Sequence, residues 1–565
     1  MFAFTTRIGF RRRRPRAAGP FGSSILLPIA RVGCIAACTA AVTVPAGAAA
    51  AGVPGGSAVT PQTPQSPRSI VVTSLRSSGP GSLRAAINAA DRAPARKPTV
   101  IDFAVRGTIT LARRLPAISR RVTLDATSAP GYVSPGPPVA EIDCNARAGL
   151  QFAAGSAGSR LLGLAVDNAS GNGVTLDASS ITLNRNYIGL NLRGAAFGNH
   201  GDGLYVSVTS SGNLIGLNTS GASGVIANVI SGNTGNGIVL AGSSDNTVVS
   251  NRIGTNAAGT SAIANGGDGI SITGRSDGNH IGGTDFVDSA TGQANNPTGD
   301  KGQVPPVFVV PPLGNLISGN ARNGILMDSG SRDNFLNGNF IGTTARGDAA
   351  IGNAGDGVWI DHADNNSLVG CKFVNNPFVY YNVVSGNGRN GLRITDSDNT
   401  LVQGNFFGIG ANNAATVSNR RDGVRVDGSS VNTRVGGVIP LGNVSAGNGL
   451  NGIAVTGTAR RFVTFNTFGG LLAFNGNDGL LITSTGGDNI ARTNVFSGNK
   501  KNGIQLAGDA SGVTIDPDIA GLTTNGGSAL PNGRDGSPQL SGSVTCSVSR
   551  AMQGTSRRRR TRPWR

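Results

Sequence analysis

Five aspartates, Asp202, Asp268, Asp356, Asp422 and Asp478, each stand immediately before a glycine that opens an apolar-x-apolar triplet. Carboxylates repeated at one position of a structural unit can stack into a file, and such a file can bind calcium or raise the pKa of its members. A structural use of the same position competes with this. Asn236, Asn323, Asn390, Asn451 and Asn502 occupy it in other units, and Asp and Asn both suit a tight corner. The three histidines, His200, His280 and His362, are too far apart to form a local metal-ligand or acid-base motif. Cys34 and Cys38 lie near the N-terminus, and Cys144, Cys371 and Cys546 lack the spacing of a disulfide framework or metal knuckle. There is no Gly-x-x-x-x-Gly-Lys-Ser/Thr loop, nucleophile elbow or His-Glu-x-x-His helix. We therefore assign no catalytic, cofactor-binding or metal-binding residue, and leave calcium as the one ion the aspartate file could take.

What would position these residues is a repeat. Among 565 residues, 87 are glycine and only 5% aromatic, too few large side chains for several separate globular cores. A glycine followed by apolar, variable and apolar residues occurs at twelve places, from Gly149-Leu-Gln-Phe to Gly503-Ile-Gln-Leu. Successive landmarks lie 24 to 34 residues apart, except for one interval of 55. Apolar-x-apolar is the period of a short strand with one buried face. Further pieces such as Thr247-Val-Val-Ser, Asn251-Arg-Ile-Gly and Asn228-Val-Ile-Ser supply three short strands per unit. Stacked at about 4.8 Å, twelve such coils give a rod of roughly 55 to 60 Å.

Asn233, Asn320, Asn387, Asn448 and Asn499 recur in Ser/Ala-Gly-Asn shortly before a landmark. Asparagine tolerates the left-handed backbone of a sharp corner, and its amide can bond the same amide one coil away, so these are read as structural. After Asn251-Arg-Ile-Gly-Thr-Asn and Asn339-Phe-Ile-Gly-Thr-Thr come about ten extra polar residues, which predict loops on one side of alternate coils. The long interval holds a Pro/Gly/Asn-rich insertion at 284–314.

The formal charge of +18 is concentrated at the two ends. Residues 1–50 and 537–565 each carry seven arginines and no acid, leaving a body near +4. Such a body predicts no continuous phosphate-tracking stripe, and nucleic acid is excluded as a partner. The arginine-rich start followed by the apolar, alanine-rich stretch from Phe21 to Val53 reads as a secretory signal over 1–51, with a Pro/Gln/Ser/Thr linker at 52–68. No transmembrane segment is expected in the mature chain.

The segment from Val71 to Asp91 reads as a strand, a tight turn and an amphipathic helix capped at Ser82, with Leu83, Ala86 and Ile87 on one face. With Ile101-Asp-Phe, Gly107-Thr-Ile-Thr-Leu and Val122-Thr-Leu-Asp125, it resembles the cap region of secreted bacterial right-handed β-helix repeat proteins with CSLREA-type starts, in the pectin-lyase-like superfamily. The repeats Ile-Ser-Gly-Asn, Asn-Gly-Ile and Ile-Gly-Thr-Asn resemble the same family, over roughly 69–540. The resemblance implies an all-β, single-stranded right-handed parallel β-helix solenoid of about twelve coils with an N-terminal cap containing a short helix. We place the cap and first coils at 69–145, the β-helix at 146–520, and an end segment with a basic tail at 521–565.

Many folds of this superfamily act on acidic polysaccharides. Val358-Trp-Ile-Asp-His362 resembles a pectate lyase signature; in that chemistry calcium neutralises a uronate while an arginine takes the adjacent proton. Asp361, however, recurs in register as Asp328 and Asp427, as a corner residue would. Arg114-Leu-Pro-Ala-Ile-Ser-Arg120 resembles the arginine motif of those enzymes but precedes Trp359 instead of following it. The Gly-His-Gly and Arg-Ile-Lys elements of the hydrolases of this fold do not occur. The reading is a secreted or cell-surface, non-catalytic, adhesin-like scaffold whose loops contact a polysaccharide or cell-surface glycan. The alternative is a polysaccharide lyase, hydrolase or epimerase, with carboxylates and a basic side chain gathered in one groove.

Overall fold

The computed structural model describes residues 68–94, 99–216, 227–283, 286–287, 294–295, 314–372, 379–413, 415–437, 442–470, 473–516, 518–522, 528–534, 539–541, 546–548 and 553–554. The expected signal sequence, most of the linker and of the 284–314 insertion, and most of the basic tail lie outside these residues.

Short strands of two to five residues recur in a fixed order and build three long parallel sheets of 16, 15 and 13 strands. Sheet 1 begins with Arg68–Val72, sheet 2 with Gly107–Thr110 and sheet 3 with Leu150–Phe152. One coil gives one strand to each sheet; Thr182–Asn184, Tyr187–Ile188 and Leu204–Val206 are an example. Each strand pairs with its counterpart one coil away, as Leu204 with Val174 on one side and Ile238 on the other. This is a parallel β-helix solenoid. All twelve landmark triplets lie in sheet 3, and a thirteenth strand, Gln539–Ser541, extends the sheet without a landmark glycine.

The two apolar residues of each triplet face inward. Ile238, Ile270, Ile325, Val358, Leu392, Val424, Ile453, Leu480 and Ile504 follow one another up the stack with no exposed surface. Each fully buried aliphatic side chain contributes about 1.5 to 3 kcal/mol by leaving water. The preceding glycine is a spatial requirement: a Cβ at Gly203 would lie 2.7 Å from the Asn233 amide nitrogen, the Gly237 carbonyl oxygen and an Ile230 methyl.

The corners carry the polar order. A file of buried asparagines runs from Asn199 to Asn532 through Asn233, Asn320, Asn387, Asn448 and Asn499, each Nδ2 donating to the next Oδ1 at 2.8–3.1 Å. Two further files, Asn186 to Asn443 and Asn213 to Asn366, do the same at the other corners. An amide donates and accepts, so one residue type can repeat without end and leave no buried polar atom unpaired.

The extra polar segments are loops on one side, as expected. From Tyr187–Ile188 to Asn405–Phe407 the chain doubles back after alternate strands of sheet 2 through an antiparallel bridge, as at Thr255–Ala262, Thr343–Ala350 and Ile409–Thr416. These loops adjoin the apolar outer face of sheet 2, where Leu316, Phe340, Val383 and Phe406 are buried. The serine of each Ile-Ser-Gly-Asn holds the loop of the next coil: Ser231, Ser318 and Ser385 donate to the carbonyls of Thr255, Thr343 and Ile409, each at 2.8 Å.

At the N-terminal end, helix α1 (Leu83–Asp91) packs on the first strands of sheet 1. The Ser82 hydroxyl accepts from the Ala85 amide, and Leu83, Ala86, Ile87 and Ala90 are buried, the i, i+3, i+4, i+7 face of a capping helix.

Candidate functional site

The aspartate file of the sequence is present, with an asparagine between each pair of its carboxylates. Along the corner entering sheet 3 the order is Asp202, Asn236, Asp268, Asn323, Asp356, Asn390, Asp422, Asn451, Asp478 and Asn502, alternating coil by coil. Each Asp Oδ1 accepts both the backbone amide and Nδ2 of the next Asn, for example from Asn390 to Asp356 at 2.7 and 2.8 Å. Each Asn Oδ1 accepts the next Asp backbone amide, as Asp356 to Asn323 at 2.9 Å. Alternation sets successive carboxylates two coils apart, about 10 Å, and gives every one a neutral donor. Asp202, Asp268, Asp356 and Asp422 follow coils that carry a loop, whereas before Asp478 the chain passes directly from Gly470 to Asn475 with no such bridge among the described residues. Burial raises the pKa of Asp268 and Asp356, opposed by the bonds from Asn323 and Asn390.

The outer face of sheet 3 carries a second cluster. Register lines up Leu326, Trp359, Arg393 and Arg425 on successive coils. The Arg393 guanidinium stands 4.9 Å from the Trp359 ring centroid, and Trp359 Nε1 donates to Thr395 Oγ1 at 3.2 Å. Asp427 takes Nη2 of Arg393 at 3.1 Å, Nε of Arg425 at 2.9 Å and the Thr395 hydroxyl at 2.6 Å. Arg425 also reaches Asp422 at 3.4 Å, so two guanidiniums and two carboxylates neutralise each other.

At the far end of the Val358–Asp361 strand, His362 Nδ1 lies 2.9 Å from Asp361 and Nε2 lies 3.8 Å from Asp396 of the next coil. His362 is 68% exposed. Asp396 accepts the Ser429 amide and hydroxyl at 2.7 and 2.8 Å, and these bonds, with His362 and Arg393 nearby, hold its pKa below the usual carboxylate range. The structure thus brings Asp361 and His362 together, adds Asp396, and leaves Asp356 at the opposite end of the strand, 1% exposed inside the polar file. Asp361 is in register with Thr395 and then Asp427, as its corner role requires. Asp396 and Arg393 were not singled out from the sequence, because nothing local marks them; they matter only as neighbours one coil above Asp361 and Trp359.

The carboxyls pushed strongly upward are elsewhere. Asp167 is fully buried and neither of its oxygens receives a hydrogen bond; its neighbours include Glu141, the only glutamate in the chain. Burial, then Glu141 and Asp143, push the Asp167 pKa up to about 9. Asp518, buried at the top of one asparagine file, is pushed up to about 7 by burial.

Residues 135–301 match the family model described as periplasmic copper-binding protein (NosD). The match covers less than a third of the chain. No curated relative matches. Among solved structures, the chain is similar to the A-module of the Azotobacter vinelandii mannuronan C-5 epimerase AlgE4, with 12% identity, 83% of this chain and 92% of that chain covered and a TM-score of 0.31. It is similar to the tailspike protein of Dettilon, with 14% identity, 74% and 63% covered and a TM-score of 0.36. A thermostable alpha-1,3-glucanase from Streptomyces thermodiastaticus gives 12% identity, 86% and 70% covered and a TM-score of 0.33. The fold rests on the strand register above, not on these likenesses.

The residues present do not fit copper. Within 135–301 the only histidines and cysteines are Cys144, His200 and His280, and there is no methionine. Cys144 is buried in the core with its thiol pushed up to about 12 by burial first and then by Asp167 and Asp143, the reverse of a thiolate ligand. His280 lies against Phe335 with its pKa lowered by burial. Among the described residues no three His, Cys, Asp or Glu side chains form a group able to hold a metal ion, and no helix is long and apolar enough to cross a membrane.

Proposed function

We propose that the chain is an exported, non-catalytic β-helix scaffold that contacts carbohydrate on the outer face of sheet 3 around Trp359. The observation that carries this is the division of labour among titratable groups. Glycoside hydrolysis needs one carboxyl with a raised pKa beside one that stays ionised. Here the raised carboxyls, Asp167, Asp268, Asp356 and Asp518, are buried in the interior or in polar files, and the open Asp396 is lowered. A lyase or epimerase needs a base free to reach the sugar carbon, whereas Arg393 and Arg425 are both tied to Asp427. What remains accessible is an aromatic ring bordered by a guanidinium and a polar rim, an arrangement suited to stacking and hydrogen bonding. The export signal read from the sequence fits the periplasmic description of the matching family.

The test is affinity electrophoresis of the full chain through gels containing neutral or acidic polysaccharides. Trp359→Ala is expected to weaken retention about tenfold, the equivalent of ~1.4 kcal/mol. Retention equal to wild type would refute the platform.

A second reading has one observation in its favour, the exposed imidazole of His362 between two carboxylates. It predicts release of unsaturated products or reducing ends from polygalacturonate or alginate, abolished by His362→Ala. Such turnover would replace the scaffold reading with that of a polysaccharide-active enzyme.

A further inference from the structure

The corner that precedes the alternating Asp/Asn file carries a second vertical row, joined through the backbone. Gly201, Gly235, Gly267, Arg322, Gly355, Arg389, Arg421, Leu450, Asn477, Lys501 and Arg534 each donate their amide to the carbonyl of the residue one coil below, at 2.7–3.1 Å from Gly235 upward. In its lower coils the row is glycine. From Arg322 onward five of its eight positions are cationic, Arg322, Arg389, Arg421, Lys501 and Arg534, with Gly355, Leu450 and Asn477 between them. Arg420 and Lys500 stand beside it in the neighbouring position of two of those coils. All seven are exposed except Lys501, which is half-buried, and none forms an ion pair among the described residues. The file members Asp268, Asp356, Asp422 and Asp478 on these coils are buried, with amide donors on their carboxylates.

We propose that this row is a docking surface for an extended acidic polysaccharide whose carboxylates advance along the corner in step with the coils. Arg389 and Arg421, and again Lys501 and Arg534, stand on adjacent coils about 4.8 Å apart, inside the ~8 Å screening length of physiological salt, so the members of each pair act on a bound polyanion together. An extended hexuronate chain such as polygalacturonate advances by a comparable step per sugar, which brings carboxylates to the cations of adjacent coils without bending. A nucleic acid fits less well, because no aromatic side chain is interleaved with the cations to stack on bases. The sequence hides the row: its successive cations are 32 to 80 residues apart along the chain and meet only when the coils stack. Gly355, Leu450 and Asn477 interrupt the row, so it forms local cationic clusters and not a continuous stripe. The proposal names the acidic class within the carbohydrate-binding reading, and rests on that reading only for the class of partner, since the row lies at the opening corner and not on the Trp359 face.

The test compares three full-length proteins in gels and in titrations with polygalacturonate, dextran and single-stranded DNA: wild type, Arg389→Gln/Arg421→Gln/Lys501→Gln, and a control with the same charge change, Arg193→Gln/Arg346→Gln/Arg492→Gln. The basic segments at the chain ends are common to all three and cancel. The row variant is expected to lose polygalacturonate affinity about tenfold or more and to show a shallower salt dependence, with the control within about twofold of wild type. Circular dichroism melting of each variant shows that the coils remain folded. The proposal is overturned by equal losses in the two variants, by tighter binding of DNA than of polygalacturonate, or by no retention on polygalacturonate at low salt. Dextran separates the two readings: if Trp359-dependent dextran binding persists while polygalacturonate is ignored, only the row falls, and if neither is bound the carbohydrate reading falls with it.

Discussion

At the scale of single residues, the difference between a carboxylate and an amide explains most of the polar architecture. A carboxylate only accepts, so a coil-by-coil run of aspartates would place like charges against each other with no donor between them; one asparagine between each pair supplies it. The two exchanges at adjacent positions should therefore differ. Asp356→Asn keeps an acceptor for Asn390 and is expected to be tolerated. Asn390→Asp removes the Nδ2 donor to Asp356, leaving only the backbone amide, and inserts a charge between Asp356 and Asp422, and is expected to cost about 2 to 4 kcal/mol. Urea melts of the two variants check the asymmetry, and equal stabilities would refute the account of the file. Asp167 gives a pH test. Its folded pKa is raised to about 9 against an ordinary carboxyl value near 4, so the folded state holds a proton that the unfolded chain releases as pH rises between the two. Stability contributed by this site is fully present below about pH 4, declines through that window and levels off above about pH 9. Asp167→Asn should raise the melting temperature at about pH 8 and change it little near pH 4, which a melt series measures.

At the scale of elements, what recurs from Tyr187–Ile188 to Asn405–Phe407 is a pair of coils, one with a loop folded back over sheet 2 and one without. The Ile-Ser-Gly-Asn and Ile-Gly-Thr motifs are two halves of that joint: the serine of the plain coil donates to the loop of the next and accepts the amide of its glycine, as Ser318 does with Thr343 and Gly342. Interrupting an asparagine file should be costly, because its members are buried. Asn353 donates to both the Ile317 carbonyl and Asn387, and Asn353→Ala takes the donor from Asn387 Oδ1 and the acceptor from the Asn320 backbone amide and Nδ2 in a buried corner. A loss of about 2 to 3 kcal/mol is expected from such a change. Because coils stabilise mainly their neighbours, amide exchange should quicken first in the strands on either side, which hydrogen-exchange measurements resolve.

At the scale of the whole molecule, a solenoid has two open ends, and the described residues show one of them closed by α1. Ile87 has no exposed surface there, so Ile87→Asp should loosen the helix, uncover the first strands and promote association between exposed strand edges. Sedimentation would detect the aggregates. Copper gives a second test of the whole chain: with no converging soft ligands among the described residues, titration with Cu(I) or Cu(II) followed by isothermal calorimetry should yield no stoichiometric site. A tight one-to-one isotherm would contradict the ligand analysis.

Period-two triplets, corner asparagines, loop-bearing alternate coils and the Ser82-capped helix were all legible in the sequence, because each is a local pattern whose chemistry is decided within a few residues. So was the aspartate position, though not its strict alternation with asparagine, which is a relation between residues 24 to 55 apart. The contact of Arg393 with Trp359, the bridge from His362 to Asp396 and the cationic row from Arg322 to Arg534 became visible only with the coils in register. Stacking converts a separation of about one repeat along the chain into one of about 4.8 Å in space. The amino-acid sequence by itself thus determined the coil and its corners, while the tertiary structure decided which side chains of different coils share a surface, since variable spacings and insertions conceal that alignment until the backbone ladders close.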